Sequence, residues 1–334
     1  MKAIVQRVFG APEVLEFCEV DRPVPGARDL LVRVRGAGVN PVDAKQRVAG
    51  RAGDPVPNAP RILGWDAAGV VEGVGPAVSG FAVGDAVWFA GDIGRPGAYA
   101  QYVAVDERIV SRKPESLDFA GAAALPLTAL TAWEGILETF GVAPGAGAGR
   151  TLLIVGGAGG VGSIAIQIAK KVCGFTVVAT ASRPESAARC RSLGADQVID
   201  HGRELAPQLS AAGFEGADYV LSTATLANFA QLVDATRPLG RICALQSGPA
   251  AQSVNVALMM PKRLTLSYEL MFTRPRTGVE PERQGRILAE VARMIDGGEL
   301  EPTLTAALPW TEVREAHRRI ETTHTMGKIV LEVD

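Results

Sequence analysis

The chain is poor in the residues that build metal sites and disulfide frameworks. It has four cysteines and three histidines in 334 residues. Cys18, Cys173, Cys190 and Cys243 form no CxxC pair, and their gaps fit no usual zinc framework. Free thiols in a reducing compartment are the expectation. An excess of one charge is also missing: 34 basic and 36 acidic side chains leave a net −2. With no basic surplus to neutralise phosphates, no nucleic-acid partner is expected. No uninterrupted apolar run reaches the ~18 residues of a membrane span. The opening stretch MKAIVQRVFG lacks an apolar core of signal-peptide length. A cytoplasmic protein with no membrane partner is expected. There is no internal repeat and no low-complexity tail.

What is present is a globular balance, 47% apolar and 21% charged, in a chain long enough for two domains. The first ~110 residues read as β-rich. The runs at 2–8, 29–36, 67–75 and 85–90 are rich in β-branched residues and bounded by Gly, Pro and Asp. Many short strands with glycine corners suggest a small irregular barrel. From Leu117 the composition turns to Ala and Leu and reads as helical, with Pro126 as a kink or break. After a Gly/Ala/Pro loop at 142–150, apolar runs at 151–155, 176–180, 196–200, 217–222 and 241–246 alternate with helical segments. That rhythm predicts a parallel, doubly wound α/β sheet. The stretch 282–298 has helical spacing at Ile287, Leu288, Val291, Met294 and Ile295, with Gly297 as its C-terminal cap. A helix from about Glu312, capped by Thr311, and a strand at 327–333 complete the chain.

Chemistry enters at Gly156-Gly157-Ala158-Gly159-Gly160-Val161-Gly162, which holds GxGxxG directly between an apolar strand and a helix. The pattern assigns Gly157 to a tight turn, Gly159 to close approach of a pyrophosphate, and Gly162 to helix–strand packing. The helix start offers N–H groups and positive dipole to phosphates. The next strand ends Ala179-Thr180-Ala181-Ser182-Arg183, without the Asp or Glu that usually bonds an NAD ribose. A hydroxyl and a guanidinium suit a 2′-phosphate, so NADPH is the expected cofactor. The alternative is that Arg183 is a solvated helix-start residue.

With this fingerprint mid-chain behind a β-rich lobe, the sequence resembles the medium-chain dehydrogenase/reductase superfamily. The likeness is strongest to its quinone oxidoreductase and zinc-type alcohol dehydrogenase-like branch. It is carried by GVNPVDAK (38–45), LGWDAAGVVEGVG (63–75), GAYAQYVAVDE (97–107), AAALPLTALTAWEG (122–135), GGAGGVGS (156–163), SLGADQVID (192–200) and GKIVL (327–331). The resemblance implies a GroES-like catalytic domain formed by 1–126 and 271–334, and a Rossmann NADP-binding domain at 127–270. It also implies a homodimer joined through sheet edges, for which 262–271 is the candidate strand.

The departure from the family bears on the chemistry. Where zinc-dependent members hold metal, this chain has Asn40, Trp65, and Pro126 or Leu127; Asp66 alone follows the ligand pattern. The histidines are His201, His317 and His324; His317, beside Arg318 and Arg319, reads as solvated. No set of soft or imidazole ligands is available. Without a Lewis acid, hydride delivery to an already electrophilic carbon is favoured, as in quinones and α,β-unsaturated carbonyls.

By resemblance, Asn40 lies near the nicotinamide ribose, with Asp43 in the same loop, and Thr128 or Thr131 bonds the carboxamide. Trp65, Trp88, Tyr99 and Phe272 are expected to wall a flat apolar pocket. Tyr99 is also a candidate to orient a carbonyl. His201 stands where related enzymes place a tyrosine against the adenosine phosphate. Ser222, Thr223, Gln246 and Ser247 end later strands, where such sheets bind ligands; Lys328 is a further cofactor candidate. Ordinary packing, capping or surface roles are the alternatives for these side chains. For the whole chain, the alternatives are an alcohol or carbonyl oxidoreductase and a non-catalytic NADPH-binding protein.

Overall fold

A computed structural model describes residues 1–322 and 325–334; His324 lies outside them. The chain divides into two units, Met1–Leu130 with Phe272–Asp334, and Thr131–Met271.

The first unit carries β1 (Lys2–Gln6), β2 (Leu15–Glu19), β3 (Asp29–Val39), β4 (Arg61–Ile62), β5 (Asp66–Val74), β6 (Ala86–Phe89), β7 (Tyr102–Asp106) and β8 (Val110–Arg112). From the C-terminal segment it takes β15 (Leu304–Pro309) and β16 (Lys328–Glu332). One sheet runs β2-β1-β4, and a seven-stranded sheet contains β15-β16-β3-β5-β6-β8 with β7 on β3. β3 is the spine of that sheet. Its alternation shows only at Arg33 and Arg35, which stay exposed, because most of its other side chains are covered on both faces. The helix Phe119–Ala123 lies on it where Gly36 and Gly38 leave room. A Cβ at Gly36 would stand 2.9 Å from Phe119 O, and one at Gly38 would stand 2.5 Å from Ala123 O. The helical reading beyond Leu117 is observed as two pieces, Phe119–Ala123 and Pro126–Trp133, broken before the proline. The second runs into a π-helical turn, Glu134–Thr139.

The second unit holds a six-stranded, all-parallel sheet. Its strands are β9 (Thr151–Val155), β10 (Thr176–Thr180), β11 (Gln197–Ile199), β12 (Ala217–Ser222), β13 (Thr236–Ala244) and β14 (Thr265–Tyr268), in the order β11-β10-β9-β12-β13-β14. Leu153, Val178, Val220 and Ile242 pack with Leu209, Phe229 and Leu232 of the flanking helices in one core cluster. Burial of each such side chain favours the fold by roughly 1.5–3 kcal/mol.

Some details differ from expectation. The edge strand within 262–271 is only β14, because Val256–Lys262 winds into a 3-10 helix. There Lys262 Nζ donates to the carbonyls of Val233, Asp234 and Thr236 at 3.0, 2.9 and 2.9 Å, closing the end of the helix Phe229–Ala235. The helix Glu282–Asp296 ends as expected, but its left-handed residue is Gly298 (φ 71°), while Gly297 remains right-handed (φ −78°). The N-cap position of the helix Val313–Glu321 is Glu312 rather than Thr311, which lies in the 3-10 turn ahead of it. Among the described residues no helix is long and apolar enough to cross a membrane.

Candidate active site

In the second unit, β9 ends at Val155 and the helix Gly160–Ile168 begins five residues on. The residue that makes the tight turn is Gly156, with φ +82°, rather than Gly157 as the GxGxxG pattern suggests. Gly157 instead serves close packing: a Cβ there would meet Ala179 Cβ at 2.8 Å and Cys190 Sγ at 2.9 Å. Gly162 packs against the turn itself, where a Cβ would be 2.2 Å from Gly156 O. Gly159 differs from all three. A Cβ at this position would meet only Gly156 O, at 3.5 Å. Its lack of a side chain serves no packing, so a cradle is left open beside the helix start. Ala158 and the first helical residues, Gly160 and Val161, border it, and N–H groups in a first turn have no intrahelical partner.

The end of β10 closes around this loop. Thr180 Oγ1 accepts from Gly156 N at 3.0 Å and lies 3.1 Å from His201 Nδ1. Thr180 O accepts from Gly157 N at 3.0 Å. Exposed His201 is thus tied through one hydroxyl to the glycine turn, a link not visible in a strand reading of 176–180. Ser182 is exposed, and Arg183 follows as the extended N-cap of the helix Pro184–Ser192, its guanidinium 4.0 Å from Glu185. From β12 and β13, Thr223 Oγ1 donates to Val155 O at 2.8 Å and Gln246 Nε2 to Thr223 O at 2.5 Å. Ser222 is buried and donates to Ala224 O, whereas Ser247 is exposed. Thr131, also in this unit, hydrogen-bonds the buried Glu269, whose carboxyl is pushed well up by burial and by Glu134.

The first unit holds a buried polar network. β16 pairs antiparallel with β3, Ile329 opposite Val39, and β3 with β5, Gly38 opposite Asp66. These registers bring Lys328, Asn40 and Asp66 side by side. Lys328 Nζ donates to Val39 O and Asp66 Oδ2, each at 3.1 Å, and to Asn40 Oδ1. Asn40 Nδ2 donates to Asp66 Oδ2 at 3.1 Å, and Leu127 N to Asp66 Oδ1 at 3.1 Å. Burial pushes the Asp66 carboxyl above the usual range, while Lys328, Leu127 N–H and Asn40 oppose that shift. A lysine among the apolar residues of GKIVL was the only sequence signal for this pair.

Beside it lies a second buried group. Asp43 Oδ2 accepts from Asn40 N at 2.8 Å and from Tyr99 Oη at 3.1 Å. Tyr99 is 1% exposed and its proton points to Asp43, which removes it from the carbonyl-orienting role expected of it. Its ring stands edge-on to His317, centroids 5.8 Å apart. His317 is buried, not solvated as its arginine neighbours suggest. It lies on the inner face of its helix with Val313 and Ala316, while Arg318 and Arg319 point outward. Arg47 NH1 donates to His317 Nδ1 at 2.8 Å, and Arg47 also pairs with Glu321. Because arginine can only donate, the imidazole proton sits on Nε2, which is buried and has no partner among the described residues.

These two groups titrate in opposite senses. Burial first of all raises the Asp43 carboxyl to about 7, and burial with the nearby Arg47 lowers His317 to about 3. Asp43 keeps its proton to higher pH folded than unfolded, so its contribution falls as pH rises from about 4 to about 7. His317 stays neutral folded, so its contribution is lost as pH falls from about 6.5 to about 3. Where the windows overlap the slopes oppose. Asp43→Asn is therefore expected to make stability rise more steeply from pH 4.5 to 6.5, read as Tm against pH. Parallel curves for variant and wild type would show that Asp43 does not titrate in this range.

The remaining expected residues divide. Trp65 and Phe272 form an edge-on pair at 6.0 Å, and Trp65 Nε1 donates to Arg95 O at 3.1 Å. Trp88 is fully buried opposite Ala68, and among the described residues no ring contact joins it to that pair. Thr128 donates to Leu125 O at 3.0 Å, leaving its oxygen as an acceptor.

Comparison with known proteins agrees with this architecture. Residues 26–115 match the alcohol dehydrogenase GroES-like domain, and residues 193–331 match the zinc-binding dehydrogenase family. A zinc-type alcohol dehydrogenase-like protein of Staphylococcus epidermidis is 36% identical, covering 93% of this chain and 92% of that protein. The chloroplastic NADPH-dependent alkenal/one oxidoreductase of Arabidopsis thaliana is 32% identical over 99% of this chain and 79% of its own length. The quinone oxidoreductase structure from Coxiella burnetii has a TM-score of 0.84 at 29% identity, covering 100% of this chain and 99% of that one.

A GroES-like unit and a parallel nucleotide-binding unit define an oxidoreductase of the nicotinamide-dinucleotide type. The chain belongs to the medium-chain dehydrogenase/reductase superfamily. Two groups implied by that membership can be tested against the residues present. A dinucleotide fits, since the open cradle at Gly159 is where a pyrophosphate approaches a helix start. Zinc does not fit. Among the described residues no three His, Cys, Asp or Glu side chains are grouped to hold a metal ion. At the expected ligand positions an indole stands at Trp65, and Asp66 is already paired with Lys328.

Proposed function

We propose that this protein is an NADPH-dependent reductase of quinones or of the activated C=C bond in α,β-unsaturated carbonyls, working without zinc. The observation that carries the reading is the polar set at Asn40, Asp66 and Lys328, in which the protein's own ammonium takes up the oxygens of Asn40 and Asp66. Acceptors that need no Lewis acid suit such a site. The Arabidopsis relative, an alkenal/one oxidoreductase by name, supports the same class.

When bound, the reduced nicotinamide supplies a hydride. The loop Gly156–Gly162 and the helix start behind it hold the pyrophosphate. Ser182 and Arg183 take the 2′-phosphate, and His201, steadied by Thr180, lies against the adenosine side. Asn40 faces the ribose with the Nδ2 hydrogen left over from Asp66, and Thr128 accepts from the carboxamide. Trp65 and Phe272 supply the apolar wall. Two copies join along β14, where Tyr268 and nearby Leu270 and Met260 are exposed.

The test is oxidation of NADPH and, in parallel, NADH by chelator-treated enzyme against quinones, enones and aldehydes, on protein whose mass is measured by light scattering. Turnover of a quinone or enone with NADPH, by a particle of twice the chain mass, is the expected result. Activity confined to aldehydes and dependent on added zinc would overturn the reading.

A further inference from the structure

The three hydrogens of the Lys328 ammonium meet three oxygens: Val39 O, Asn40 Oδ1 and Asp66 Oδ2. Lys328 is 2% exposed, Asn40 1% and Asp66 0%. A primary ammonium has three donors and no acceptor, so this cage satisfies it completely. The cage is composed wholly of oxygen, a donor set for a hard cation rather than for zinc. Gly38 makes it possible, since a Cβ there would stand 2.9 Å from Asp66 Oδ2.

We infer that Lys328 is a tethered cation that closes this position to divalent metals and, as a positioning residue, sets the orientation of the Asn40 amide. With Oδ1 facing the ammonium and one Nδ2 hydrogen on Asp66, the amide has one stable orientation. A flip would turn its NH2 group toward the ammonium and its oxygen toward the carboxylate. Asn40 therefore keeps its second Nδ2 hydrogen, an N–H donor, for a ligand. The part of this inference that concerns turnover rests on the reductase reading; the cage itself does not.

Three measurements test it. First, wild-type protein labelled with 15N-lysine should show an ammonium resonance shielded from solvent exchange that is absent from Lys328→Met/Asp66→Asn, while any signal of Lys262, whose ammonium also meets three carbonyls, is kept in both. A spectrum without such a resonance overturns the cage. Second, Lys328→Ala empties the cage, and methylammonium should then raise the Tm of this variant by several degrees. Methanol should have no effect on it, and methylammonium none on wild type. If the single variant does not fold, the 15N comparison with the double variant decides.

Third, Lys328→Met/Asp66→Asn leaves no unpaired charge and should recover stability. Its turnover should still fall about 10- to 100-fold, the usual scale for a lost orienting partner. Full turnover in the double variant would reduce Lys328 to a structural role. Stoichiometric zinc tightly held by wild type would overturn the closure. If wild type turns over no quinone or enone, the resonance and the Tm shifts still decide the cage, so the two failures are distinct.

Discussion

Gly159→Ala is expected to weaken binding of the dinucleotide by about 10- to 100-fold while leaving Tm unchanged or slightly higher. The backbone at Gly159 has φ −72° and ψ 177°, extended geometry that any residue adopts. Adding a methyl group at such a position often stabilises a protein by about 0.4–1 kcal/mol through the unfolded chain. The new Cβ would meet only Gly156 O, at 3.5 Å, so the protein itself has no objection to it. A pyrophosphate in the cradle would, because a methyl in a filled space costs about 1–3 kcal/mol. Gly162→Ala is the internal contrast. Its Cβ would lie 2.2 Å from Gly156 O and 2.7 Å from Gly157 Cα, both backbone atoms, so Tm should fall by several degrees. Titration of NADPH by fluorescence and a melting curve for each variant separate the two cases. Equal melting losses for both would mean that Gly159 packs against protein rather than ligand.

Arg183→Ala is expected to cost NADPH about 1.5–3 kcal/mol, the scale of a hydrogen bond to a charged group. That is a loss of about 10- to 150-fold. NADH, which lacks the 2′-phosphate, should bind the variant as it binds wild type. Arg183 sits at the N-cap, just past the end of β10, with Ser182 beside it and no carboxylate in 176–183. Equal losses for NADPH and NADH would remove Arg183 from 2′-phosphate recognition and leave it a helix-start residue.

The placement of these two positions, in the loop after β9 and at the helix start after β10, is legible in the sequence because its information is local. An apolar run, a glycine loop and a helix follow one another within about twenty residues, and periodicity reads such a unit directly. The buried network was not legible in the same way. Lys328 meets Asn40 across 288 residues and Asp66 across 262, and only the strand registers bring them together. His317 shows a different failure. Val313, Ala316 and His317 follow the i, i+3, i+4 spacing of a buried stripe, but the arginines next to it in sequence drew the reading toward solvent. The swap of roles between Gly156 and Gly157 has a simpler cause. In a run of glycines the motif can be placed one residue off, and only the backbone angles show which one turns the chain.

The pairing of β16 with β3 has a consequence for how the chain finds its fold. A slip of one residue along β3 would turn the side chains of β16 to the opposite face. Lys328 would leave the oxygen cage, and Asp66 would be enclosed with no cation beside it, a strongly unfavourable arrangement. Apolar residues alone tolerate such an error, since Ile329, Val330 and Leu331 are near equivalents. The single lysine at the start of the strand therefore acts as a proofreading mark, rejecting misaligned pairings that the hydrophobic residues behind it would accept.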